Sequence, residues 1–185
     1  MPSPQTLTES DRRIVAGWAA DCAERVLAVF EAETPGDDRA RDGILRARSF
    51  ARGESDAASQ IRQRFAAGRA SGAATSPAGR AAARAAGQAA AVAHMGAHAL
   101  GAAAYAAEAA ELITPGRGGA AEIAWQLASM SAPVLAALRR LPLLGEDSSG
   151  PLGPGLLASG ALGESIRTVQ AALLGGDPDV EEAAR

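Results

Sequence analysis

The chain has 185 residues, a length that suits one domain with a core of its own and no need of disulfide or metal staples. Hydrophobic residues make up 48% of it and aromatics only 3%, and most of the apolar content is alanine, so the composition favours helices over strands. A formal charge of −3 with a lone cysteine, Cys22, argues against a general nucleic-acid binder and excludes an intramolecular disulfide.

The N-terminus is polar and lacks an apolar signal core, and no run of about 18 strongly apolar residues is present. The expected setting is therefore the cytoplasm, with no membrane partner. The first helix is expected from Ser10 or Asp11 to about Glu33. Thr8 and Asp11 stand at capping-box spacing, with Asp in place of Glu or Gln. Ile14, Val15, Trp18, Ala19, Cys22, Val26, Val29 and Phe30 share one side at 100° per residue, which makes a single core-facing stripe. Thr34-Pro35-Gly36 ends it.

A second helix is expected over 38–52, its start favoured by Asp37 and Asp38 and its end marked by Gly53. The arginines along it are mixed with acids and read as a salt-bridged surface. A third, shorter helix is expected over 55–67, followed by a small-residue linker at 68–76. Ser76-Pro77 is a strong helix start, a serine cap with proline in the first turn. The alanine- and glycine-rich stretch after it reads as one long helix, 77 to about 113, with a break at Gly96 or Gly101 as the alternative. A fifth helix covers 120–140, where Pro133 should kink or split it. Residues 141–160 are rich in Gly, Pro and Ser and read as irregular. A last short helix covers 161–174, and 175–185 reads as a frayed tail. The fold class is all-α: a single-domain bundle of five or six helices with one long Ala/Gly-rich helix. Residues 1–141 form the main helical unit, 142–160 an irregular segment, and 161–185 a short helix with its tail.

Two features hold candidate chemistry. His94 and His98 are the only histidines. On one helix they would face the same side and could offer two metal ligands, although zinc sites take three or four. The metalloprotease pattern fails, because Met95 stands where its glutamate should be. On the same projected face lie Arg80, Arg84, Tyr105 and Glu108, so Arg80, Arg84, His94, His98, Tyr105 and Glu108 form a polar stripe. Tyr, Arg and His together suit recognition of a protein partner, and Trp125 is a further anchor. The same stripe is also what a solvated helix face would look like. Cys22 has no base beside it in the sequence and falls within the apolar stripe, so it reads as a small core residue. No catalytic residues are spelled out and no cofactor is called for.

Several stretches carry a resemblance. These are Asp11-Arg12-Arg13, the run from Trp18 to Leu27 with Phe30-Glu31, Pro35 to Arg41, and Ala47 to Glu54. The alanine-rich run from Ala81 to Ala91, His94 to Ala103, Tyr105-Ala106 and Glu122 to Gln126 continue it. In that order they resemble the family of putative immunity proteins of bacterial toxin systems, over roughly Asp11 to Leu141. The resemblance implies a helical protein that binds and neutralises a cognate toxin, with no catalytic residues to carry over. Residues 142–185 depart from the pattern and look like an addition. Two other readings stand beside it: a metal-binding helical protein or metalloenzyme using His94 and His98, and a helical accessory protein that self-associates through its small-residue faces.

Overall fold

A computed structural model describes residues 3–57 and 69–175. The described residues form seven α-helices and two short 3-10 turns, with no strand. The helices are α1 (Glu9–Glu33), α2 (Arg39–Ala51), α3 (Pro77–Ala91), α4 (His98–Ile113), α5 (Gly118–Ala128), α6 (Ala132–Leu138) and α7 (Gly160–Gly175). The chain is an all-α single domain, richer in helices than the five or six expected. Most of the helix expected at 55–67 lies outside the described residues.

Helix α1 forms where its sequence indicates. Thr8 caps it by accepting from the Asp11 amide at 3.1 Å, and its hydroxyl donates to the Asp11 carboxylate at 2.8 Å. Val15, Trp18, Ala19, Cys22, Val26 and Phe30 are all buried, as the 3.6-residue stripe requires. Helix α1 packs on α2, α3, α4 and α6, and α4 in turn packs on α3, α5 and α7. The core is therefore built on two central helices. Alanine lines most of α3 and α4 on their buried sides, and its short side chain lets these two helices lie against each other along their length.

The long helix expected over 77–113 is two helices. Ser76 caps the first as expected, accepting from the Gly79 amide at 2.9 Å. The chain then leaves helical geometry at residues 92–97. The cause is a long-range contact. The amides of Gly96 and Ala97 donate to the Thr6 and Gln5 carbonyls, each at 3.0 Å, so they are drawn out of the helical ladder. Gly96 leaves room for Leu7 there, because a Cβ would lie 2.4 Å from Cδ1 of Leu7 and that side chain would have to shift. The helix expected over 120–140 is likewise divided. Pro133 sits in the first turn of α6, where its missing N–H costs nothing, and α5 and α6 meet at 110°. Among the described residues no single helix is long and apolar enough to cross a membrane.

The C-terminal part belongs to the same core. Leu152 is fully buried, and Ile166 and Val169 are almost so. Gln5, also fully buried, joins this part to the N-terminus. Its amide donates to the carbonyls of Asp147 and Ser149, and its carbonyl accepts from the Leu152 amide at 2.9 Å. Asp147 takes hydrogen bonds from the Ser149 amide and hydroxyl and from the Ser3 hydroxyl, which lower its pKa from 3.8 to about 2.

Candidate functional site

The break at residues 92–97 redistributes the polar stripe. Arg80 turns back and donates to the Ala74 and Thr75 carbonyls at 3.3 and 2.9 Å, so it ties down the entry to α3. His94 is exposed in the turn between helices, and His98 is the first residue of α4. The two histidines thus do not share one helix face. His98 Nδ1 lies 2.8 Å from Oε1 of Gln88, a contact made possible by Gly101, whose Cβ would fall 2.4 Å from that same oxygen. Among the described residues no three His, Cys, Asp or Glu side chains come together to hold a metal ion.

Arg84, Tyr105 and Glu108 do come together. The Arg84 guanidinium lies over the Tyr105 ring, 5.8 Å from its centre, a cation–π distance. Tyr105 is only 3% exposed, so the ring serves as the floor under Arg84 rather than as a contact of its own. Burial raises the Tyr105 pKa, with Arg84 opposing and Glu108 adding to the shift. Burial also raises the Glu108 pKa, and Arg84 partly offsets it. One carboxylate oxygen of Glu108 is buried without a hydrogen-bond partner, although the residue as a whole is half-exposed.

Trp125 belongs to a second cluster, between α1, α4 and α5. The Arg25 guanidinium stacks on its ring at 3.9 Å and pairs with Glu122 at 2.8 Å. Glu122 is 4% exposed and Gln126 fully buried. The Gln126 amide donates to the Ala103 carbonyl at 3.0 Å and to Glu122 at 3.2 Å, and its own backbone carbonyl accepts from the Trp18 indole at 3.1 Å. Cys22 is fully buried nearby. Burial first, then the charges of Glu122 and Asp21, push its thiol well above the ordinary value, so it is a packing residue and not a nucleophile.

This second cluster escapes a reading of periodicity. On α5 the two fully enclosed side chains are the polar pair Glu122 and Gln126, while Ile123 and Leu127 are only half-buried. The i, i+4 spacing of Glu122 and Gln126 beside a tryptophan is the one sequence signal of an inward polar face. The outward apolar stripe of α5 instead borders a groove of about 440 Å³ between α4, α5 and α7.

A family model described as Imm-5 like putative immunity protein matches residues 5–133, more than half of the chain. The chain belongs to this family. The family-matched part runs from Gln5 to the start of α6, so it holds both polar clusters. Helix α7, one wall of the groove, lies beyond it. No curated protein or solved structure is detectably similar to the chain.

Proposed function

We propose that the protein is a non-catalytic, cytoplasmic binding protein of the immunity type, which neutralises a cognate bacterial toxin by direct contact. The observation that carries this reading is the match to the Imm-5 like family over residues 5–133. The contact surface draws on the solvent-facing members of the anticipated set: Arg84, His94, Glu108 and Trp125, with Arg80 holding the backbone at the entry to α3 and His98 joined to the Gln88 side chain. Tyr105 acts from beneath by positioning Arg84. Arginine and tryptophan on rigid helices are the residue types that dominate protein interfaces.

Co-expression with each candidate toxin gene of the same genome tests the reading. One toxin that kills cells alone should be tolerated in the presence of this protein, and the two should co-purify. Survival without co-purification, or no survival with any candidate, contradicts it. Arg84→Ala should weaken the complex by about tenfold, the effect of losing one anchor residue.

A further inference from the structure

Helix α4 carries α5 and α7 side by side, yet α5 and α7 touch each other only sparsely. The gap between them is the groove of about 440 Å³. Its floor and walls are apolar: Ala107 of α4, then Ile123, Ala124 and Leu127 of α5, and Ala161 of α7. Its charged lining is entirely acidic, with Glu108 and Glu111 on one side and Glu164 on the other, and no Lys or Arg among the lining residues.

The three carboxylates are not equivalent. Glu111 is already occupied, since it accepts from the Gly116 and Gly119 amides. Glu108 has one oxygen buried without a hydrogen-bond partner, so its other oxygen is the one that can meet an occupant. Glu164 is exposed at the outer edge. Two carboxylates therefore flank an apolar trough whose α5 wall is left uncovered by the described residues, with Ala124 exposed on it. An occupant that buries aliphatic side chains against Ile123 and Leu127, and brings cations to Glu108 and Glu164, would satisfy both features at once. The chain's own residues 176–185 do not have that chemistry, because they hold four carboxylates and one arginine.

The geometry points to this groove as the docking site for a basic amphipathic helix of a partner protein. The inference rests on the immunity-type reading, for it names the face and the partner chemistry of that binding. It also divides the groove between two parts of the chain. The α4 and α5 walls lie in the family-matched region and the α7 wall beyond it, so α7 supplies a wall that can set partner choice.

The test uses the full chain and two labelled, amidated 16-residue helical peptides, one of leucine and lysine and one of leucine and glutamate. Fluorescence anisotropy follows binding to wild type, to Ala124→Arg, and to the Glu108→Gln, Glu164→Gln double variant. Ala124 and Glu164 are exposed and Glu108→Gln keeps the size of the side chain, and circular dichroism checks that the fold is unchanged. The expected result is saturable 1:1 binding of the lysine peptide, at least tenfold weaker in both variants and weakened by salt, with at least tenfold poorer binding of the glutamate peptide. The inference is overturned if no peptide binds, if the variants bind within twofold of wild type, or if both peptides bind alike. It is overturned too if sedimentation shows a wild-type dimer that Ala124→Arg dissolves, which would make a second copy the occupant. The two proposals fail separately. A toxin that binds Ala124→Arg as well as wild type sinks the groove and spares the immunity reading. Absence of any toxin partner sinks the immunity reading, while the peptide comparison still decides what the groove accepts.

Discussion

Glu33 stands at the end of α1 and works at the start of α3. It accepts hydrogen bonds from the Ser76 hydroxyl and amide and from the Thr75 amide and hydroxyl. Together with the positive end of the helix, these favour the charged form, and its pKa falls from 4.5 to about 2. Asp147 is held down in the same way. A carboxyl whose pKa is depressed by folding adds stability that is fully present above its unfolded value and is lost as pH falls toward its folded value. The protein should therefore lose stability progressively as pH drops from about 4.5 to about 2. Glu33→Gln should lower the urea midpoint at pH 7 and flatten that decline. An unchanged pH profile in Glu33→Gln would show that this carboxylate is not a cap across the α1–α3 junction. None of this was legible in the sequence, because Glu33 lies 42 residues or more from the groups it meets. The local caps, Thr8 on α1 and Ser76 on α3, were legible because their partners lie three residues away.

At the scale of elements, local periodicity found the helices and tertiary contacts set their limits. The stripe of α1 is visible because every large apolar residue on it turns inward. The break between α3 and α4 shows in the sequence only as an alternative at Gly96 or Gly101, since no proline marks it and its cause is hydrogen bonding to Gln5 and Thr6. The polar inner face of α5 misleads in another way. An apolar stripe is ordinarily assigned to the core, but on α5 it is Glu122 and Gln126 that meet Arg25 and the Ala103 carbonyl. Two glycines test the packing between elements. A Cβ at Gly118 would lie 2.0 Å from the Ala110 carbonyl oxygen, a backbone atom of α4. At Gly96 it would meet the Leu7 side chain, which can turn aside. Gly118→Ala should cost about 3 kcal/mol and Gly96→Ala about 1 kcal/mol, within the range for overpacking. Chemical denaturation gives both values. Equal costs, or a smaller cost at Gly118, would mean that the α4–α5 junction yields more easily than its geometry requires.

For the molecule as a whole, the family match stops at residue 133 but the packed core does not. Leu152, Leu157, Ile166 and Val169 join the same buried cluster as Trp18 and Phe30, and Gln5 binds the loop around Leu152. A chain cut after Leu141 should lose cooperative unfolding, because it would uncover α4 and leave the Gln5 side chain without its partners. A truncated chain that melts cooperatively within a few degrees of the full one would make residues 142–175 an accessory. The all-α class was legible from alanine content and helical spacing. The joining of the C-terminal part to the core was not, for in sequence it shows only a glycine- and proline-rich segment and one short amphipathic stretch.

The most direct test of the central claim is a titration of the purified cognate toxin with this protein, reading toxin activity and heat of binding together. A binding protein of the immunity type predicts that activity falls linearly to zero at one equivalent, with the calorimetric transition at the same ratio. Loss of activity at a small fraction of an equivalent would mean turnover and an enzyme. Undiminished activity at several equivalents, with no heat of binding, would contradict direct neutralisation.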